Sequence, residues 1–306
     1  MKRKVIGRVG VLAGGQSNER DISLMSGKAV HEALLREGID AVLLDVHGDA
    51  REAITRNKID VAFIALHGRF GEDGTVQKML EDLKIAYTGS GPEASRTTID
   101  KVLAKKVFEK SALPVPRYVV FKKDDYRIED CYDLGFPMVV KPHLEGSSIG
   151  LSVVKGKEKL PFALDKAFEY GDLVLLEEYI SGRELTVGII NDEPLPVIEI
   201  VTKGSLYDFE AKYKDPETKY LVPAPLDEAT AAKARELGKR SHRALGCRCF
   251  SRVDIMMNNL GEMYVLEANT IPGMTERSLL PKAAQAIGLS FGDLCIKLIN
   301  NALLKR

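Results

Sequence analysis

The first part of the chain alternates short apolar runs with stretches in which apolar side chains recur every three or four positions. Residues 5–12 (VIGRVGVL) predict a buried strand that stops at Gly14-Gly15. Ile22, Met25, Ala29, Val30, Ala33 and Leu34 then fall on one face of a helix that ends at Gly38. Strands are expected over 41–46 and 60–66, and helices over 50–57 and 75–83. Strand following helix in this way predicts a parallel α/β domain over residues 1–95.

The pattern then changes. Thr97 or Thr98 can cap a helix running to Ala112, with Ile99, Val102, Leu103, Val107 and Phe108 on one face and Pro114 and Pro116 beyond its end. Strands over 137–141 and 151–155 flank a Gly/Ser-rich loop at 143–150, and further strands cover 172–178, 184–190 and 195–201. A helix over 229–245, a hairpin of 251–257 with 263–269, and helices over 278–287 and 290–304 complete the chain. These are α+β patterns with antiparallel sheets, divided into a central domain at 96–180 and a C-terminal domain at 181–306.

A length of 306 residues suits two or three such domains. Lys+Arg and Asp+Glu are equal at 44 each, so there is no electrostatic footprint for nucleic acid or an anionic membrane. Cys131, Cys247, Cys249 and Cys295 lack metal or redox spacing and read as reduced and structural. The basic start runs into a strand broken by Arg8, unlike a signal peptide, and no apolar run has membrane-spanning length. A cytoplasmic protein is the expectation.

Chemistry enters with the hairpin. If its turn closes around Asn259-Leu260-Gly261-Glu262, Asp254 faces Glu267 and Arg252 faces Asn269. Alternation puts these four on one face and Val253, Ile255, Leu266 and Ala268 on an apolar other. Paired Cβ atoms lie about 4.5–5.5 Å apart, where two carboxylates repel unless a cation sits between them. Two carboxylates and an amide carbonyl are hard oxygen donors that suit Mg²⁺ bound with a nucleotide, although a solvated hairpin face has the same pattern. Lys141 ends a buried strand and needs an anion, either phosphate or a structural carboxylate. Residues Glu145 to Gly150 offer N–H groups and hydroxyls to an anion. Lys101 suits a helix surface, and Glu177-Glu178-Tyr179-Ile180 suits either a purine-binding strand edge or an acidic strand end. Neither GxxxxGK[ST] nor GxGxxG occurs, which argues against a P-loop or a dinucleotide fingerprint.

Taken together, the motifs resemble a known family. They are Gly14-Gly15-Gln16-Ser17-Asn18-Glu19-Arg20, His67-Gly68 with Gly71-Glu72-Asp73-Gly74, Tyr87-Thr88-Gly89-Ser90-Gly91, Asp100-Lys101 and Val140-Lys141-Pro142. Glu145-Gly146-Ser147-Ser148, Glu210-Ala211-Lys212-Tyr213, Arg252-Val253-Asp254, and Glu267-Ala268-Asn269-Thr270 with Pro272-Gly273-Met274-Thr275 follow in order. The set resembles the D-alanine–D-alanine ligases of the ATP-grasp superfamily over nearly the whole chain. The resemblance implies a three-domain fold, an N-terminal parallel α/β domain followed by two α+β domains enclosing ATP. It implies that Lys101, Lys141, Glu177, Tyr179, Ile180, Glu184 and Lys212 bind ATP, and that Asp254, Glu267 and Asn269 hold Mg²⁺ or Mn²⁺, two ions in all. Glu19, helped by His67, would hold the first D-alanine's ammonium, within a triad of Glu19, Ser147 and Tyr213. Arg252 and the Gly273 N–H would stabilise an oxyanion, and Ser278 and Leu279 would meet the second D-alanine's carboxylate, with Ser278 also suiting an N-cap. Residues 204–224 look like a loop that closes over the site. Tyr213 favours the peptide-forming type over ester formers, which tend to carry histidine there, while Phe70 replaces a residue often smaller in relatives. A homodimer is the family's usual state. The rival readings are a related ligase with D-lactate or D-serine as acceptor, and a non-catalytic nucleotide-binding protein.

Overall fold

The computed structural model describes residues 6–202 and 217–304. Strand β1 (Val9–Ala13) is buried along its whole length because parallel neighbours flank it on both edges, β2 (Ala41–Asp45) and β3 (Val61–Ile64). β4 (Ala86–Tyr87) completes the order β2-β1-β3-β4, all parallel. Helices α1 (Arg20–Arg36), α2 (Ala50–Arg56) and α3 (Thr75–Asp82) connect these strands. The faces of β1 differ in company. Val9 and Val11 pack with Val30 and Leu34 of α1, and Leu12 packs with Ile54 and Leu80. Covering both faces is what lets the strand read as one apolar run.

The expected single helix over 97–112 is two helices, α4 (Pro92–Ile99) and α5 (Lys101–Lys110). Thr97 and Thr98 lie inside α4. Asp100 between the helices is extended (φ −79°, ψ 102°), and its carboxylate accepts from the N–H groups of Val102 and Leu103, so it is the cap of α5. The break resets the helical phase. Lys105 turns inward with Val102, Ala104 and Phe108, and Leu103 turns out.

The central sheet has the antiparallel order β5-β8-β6-β7, from β5 (Tyr118–Lys122), β6 (Met138–Pro142), β7 (Ser152–Val154) and β8 (Leu173–Glu178). Its core, including Met138, Val140, Leu164 and Leu176, is closed by α6 (Leu160–Phe168), a helix not expected from the sequence, as β5 also was not. The third sheet runs β12-β11-β9-β13-β14, from β9 (Gly182–Ile190), β11 (Ile198–Val201), β12 (Lys219–Leu221), β13 (Phe250–Asn258) and β14 (Met263–Asn269). The two-residue β10 (Glu193–Pro194) pairs with β9. One face of this sheet carries α7 (Glu228–Ala244) and α5, with Phe108, Leu237, Val187 and Val253 in one cluster. The other face joins α8 (Leu279–Gln285) and α9 (Phe291–Leu304), whose Leu294, Leu298 and Ala302 also pack with Val9 and Val11. The N-terminal and C-terminal sheets therefore share a core. No described helix is long and apolar enough to cross a membrane.

Candidate functional site

Two cavities meet across β14. The first is a cleft of about 340 Å³ between the central and C-terminal sheets, lined by Lys101, Lys141, Glu177, Tyr179, Ile180 and Glu184. The second, about 560 Å³, opens beside α1 and is lined by Glu19, His67, Ser147, Arg252, Gly273, Ser278 and Leu279. Gly146 and Glu267 line both, and Asp254 faces the first while Asn269 faces the second. Every described residue that the resemblance implicates thus lies in one of two adjoining spaces. Lys212 and Tyr213, and most of the expected closing segment 204–224, lie outside the described residues.

The hairpin pairs as expected at its polar site residues and differs toward its turn. Arg252 pairs with Asn269 and Asp254 with Glu267. Toward the turn the register is one residue tighter, with Ile255 opposite Val265 and Met257 opposite Met263, and Gly261 (φ 80°) closes a shorter loop. A β-bulge after Asp254 restores the register. Its consequence is a correction. Val265, not Leu266, enters the core, and Leu266 lines the cleft with Met256. Asp254 accepts hydrogen bonds from Thr186 Oγ1 (2.6 Å), Arg252 Nε and Nη2 (2.9 and 2.8 Å) and Asn269 Nδ2 (3.2 Å). Glu267 lies 3.7 Å from Lys101 Nζ. Among the described residues no three His, Cys, Asp or Glu side chains form a metal cage. The donor set is two facing carboxylates and an amide beside an open cleft, and it fits a hard divalent cation that keeps positions for water and phosphate oxygens.

Lys101 is not a surface lysine. Its ammonium donates to the Glu145 carbonyl (2.6 Å), and its N–H donates to the His143 carbonyl (3.0 Å), which fastens the loop 143–150 over the cleft. Lys141 finds a structural carboxylate: its Nζ lies 2.6 Å from Glu177 Oε2. Burial works against the charges of both groups. The adjacent lysines nevertheless hold the Glu177 carboxyl down at about 2, and the charges of Glu177 and Glu267 raise Lys141.

Glu19 occupies the N-cap position of α1 but does not cap it; its carboxylate instead accepts the Ser147 hydroxyl. Two glycines let the loops approach. A Cβ on Gly146 would lie 2.7 Å from Glu19 Oε2, and one on Gly68 would lie 3.0 Å from it. His67 is buried, with Nε2 3.1 Å from Ser26 Oγ and a backbone bond to Ile271. Burial, with Arg252's charge, pushes its imidazole down to about 4, so it is neutral near pH 7. Ser278 sits at the start of α8 without capping it; its hydroxyl accepts the Thr275 N–H (3.1 Å). Phe70 takes a left-handed φ of 71° and packs against the core around Ile64 and Leu66.

Four participants escaped the sequence reading. Glu72 accepts from the Gly68 N–H (2.7 Å) and from Ile271, and burial with Glu19's nearby charge pushes its carboxyl up to about 8. Ser26 carries His67 and also accepts the Met274 N–H (3.2 Å). Thr186 reaches Asp254 because β9 and β13 are neighbours. Lys105 meets Glu177. Two left a trace in the sequence: Lys105, four residues after Lys101 on a helix whose neighbouring face is apolar, and Glu72, inside the motif that begins at His67.

Known proteins are similar to this chain in sequence and fold. Residues 107–300 match the family described as D-ala D-ala ligase C-terminus, and residues 47–90 match its N-terminal counterpart. The D-alanine–D-alanine ligase of Geotalea uraniireducens is 46% identical over 298 residues, 97% of this chain and 96% of its own length. That of Trichlorobacter lovleyi is 47% identical over 299 residues, 97% and 96% of the two chains. The crystal structure of the Bacillus anthracis enzyme complexed with ATP superposes with a TM-score of 0.87 at 33% identity, covering 98% of both chains. With sequence and fold in agreement over nearly the full length, the chain belongs to the D-alanine–D-alanine ligase family.

Proposed function

We propose that the smaller cleft binds ATP, that the larger cavity binds two molecules of D-alanine, and that the chain joins them into D-alanyl-D-alanine, releasing ADP and phosphate. One observation carries this reading: Gly146 and Glu267 border both spaces, so a phosphate chain in one can reach a carboxylate in the other. Tyr179 and Ile180 flank the adenine, Glu184 meets the ribose, and Lys101 and Lys141 face the phosphates. Lys212, outside the described residues, completes this set in the same reading.

In the first half-reaction a carboxylate oxygen of the first D-alanine attacks the γ-phosphorus, and the bond to ADP breaks. Glu19, oriented by Ser147, holds that molecule's ammonium, with neutral His67 beside it. The second D-alanine, its carboxylate against Ser278 and Leu279, then attacks the acyl carbonyl with its amine. Phosphate leaves with the bonding pair and the amine loses a proton. Arg252 and the Gly273 N–H stabilise the oxyanion between these events. Asp254, Glu267 and Asn269 would hold Mg²⁺ or Mn²⁺, two ions, which when bound would supply charge neutralisation for the phosphates. Closing the site keeps water from the acyl phosphate.

The test is phosphate release from ATP and Mg²⁺ with D-alanine, L-alanine, or D-alanine plus D-lactate. Phosphate that depends on D-alanine alone is expected; its absence in folded, ATP-binding protein sinks the reading. Asp254→Ala should lower turnover by at least about 10³-fold, because it removes charge stabilisation at the transferring group, with the circular dichroism of the parent. Full activity would show that the metal lies elsewhere. The same reading makes the protein a cytoplasmic homodimer, and a monomer mass by light scattering would contradict the oligomeric part.

A further inference from the structure

Lys105 is 1% exposed, and burial of this degree is rare for a lysine. Its Nζ lies 2.5 Å from Glu177 Oε1, while Lys141 Nζ lies 2.6 Å from Oε2. One carboxylate is therefore shared by two ammonium groups on its opposite oxygens. The ring of Tyr118, 5.4 Å away, lies on another side of Lys105. Lys141 lines the cleft with Glu177; Lys105 does not. An apolar side chain would fill Lys105's place without the cost of burying a charge, and stability does not account for a lysine there.

The charges do. Glu177 with Lys141 alone is a neutral pair, and a neutral pair attracts phosphate weakly. Burial pushes the Lys105 ammonium below the ordinary lysine value and the contact with Glu177 works the other way; with Lys105 protonated in that contact, two ammonium groups against one carboxylate leave one positive charge, and the member that faces the cleft is Lys141. The charge of Glu267 also reaches Lys141, but Glu267 has Lys101 at 3.7 Å, so Lys101, Lys105 and Lys141 against Glu177 and Glu267 still leave one positive charge. We propose that Lys105 is a positioning residue for ATP: by pairing with Glu177 from behind, it keeps the buried lysine–glutamate–lysine group positive, so that Lys141 meets the phosphates with its charge uncompensated. The proposal rests on the reading of the cleft as the ATP site.

The experiment is a charge cycle. The full-length protein is made with Lys105→Met, with Glu177→Gln, with both, and separately with Lys141→Ala. The dissociation constant for ATP with Mg²⁺ is measured by calorimetry, alongside the KM for D-alanine and the melting temperature. Lys105→Met should weaken ATP binding on the order of tenfold, the effect of one unit charge removed at this range in a medium of intermediate dielectric, and leave the KM for D-alanine unchanged. The double variant removes one charge of each sign and leaves Lys141 positive, so it should regain most of the loss. A strut role predicts no such recovery.

Parent-like ATP binding in folded Lys105→Met overturns the proposal, and so does a folded double variant that binds as weakly as the single one. Should Lys105→Met not fold, the double variant carries the test alone: strong ATP binding supports the proposal and weak binding overturns it. Unchanged ATP binding in Lys141→Ala would sink the reading of the cleft. Loss there with none in Lys105→Met would sink only the role of Lys105.

Discussion

Glu72 places a second carboxyl near Glu19, where burial and a like charge both favour its protonated form. Its folded pKa of about 8 lies above the ordinary value, so the folded state keeps a proton that the unfolded chain releases. The stability this contributes is fully present below the ordinary carboxyl range and is lost as pH rises through about 8. Glu72→Gln cannot ionise, so its melting temperature should gain on the parent's between pH 5 and pH 8, with the difference levelling off above about pH 8. A constant difference across that range would contradict the assignment. The motif around Glu72 is visible in the sequence, but the charge state is not, because it depends on Glu19 arriving from another loop. Lys141 shows the same limit. The sequence shows that a lysine ending a buried strand needs an anion, yet Glu177 becomes that anion only when β8 pairs with β6.

At the scale of the element, the hairpin separates what periodicity can tell from what it cannot. Alternation correctly puts Arg252, Asp254, Glu267 and Asn269 together, because a period of two holds over short paired stretches. It misplaces Leu266, because a tighter turn and a bulge shift the register twice in opposite senses. The two neighbours should therefore answer mutation differently. Val265→Ala, in the core, should cost about 2 kcal/mol in chemical denaturation with little change in the KM for ATP. Leu266→Ala, on the cleft wall, should raise the KM for ATP and leave the unfolding midpoint nearly unchanged. The reverse pattern would place the bulge elsewhere. The helix break at Asp100 is a similar case. The Asp-Lys step reads equally as helix interior, and the cap is evident only from its extended backbone.

At the scale of the molecule, the N-terminal and C-terminal parts are joined and the central sheet is packed on its own. Val9, Phe63, Phe250, Leu280 and Leu298 share one core, and Ile271, just after β14, inserts among Ile64, Leu66 and Leu80. The central core around Met138 and Leu176 includes no residue from either end. Leu280→Ala should therefore raise hydrogen exchange in β1, α1, β9 and α9 together and leave β6 and β8 near parental rates. Faster exchange spread evenly over all three sheets would contradict separate packing. Joining the ends in this way also holds His67 and Glu72 against Ile271, beside the hairpin's carboxylates.

The sequence by itself determined the class of each region, the facing pairs of the hairpin and the identity of the family. These depend on local periodicity and on motifs whose order survives without coordinates. The tertiary structure decided which groups meet: Thr186 with Asp254, Glu72 near Glu19, Lys105 and Lys141 on one carboxylate. Partners distant in sequence are chosen by sheet order and by loop approach, and the electrostatics of a buried group is set by those partners rather than by its own chemical type.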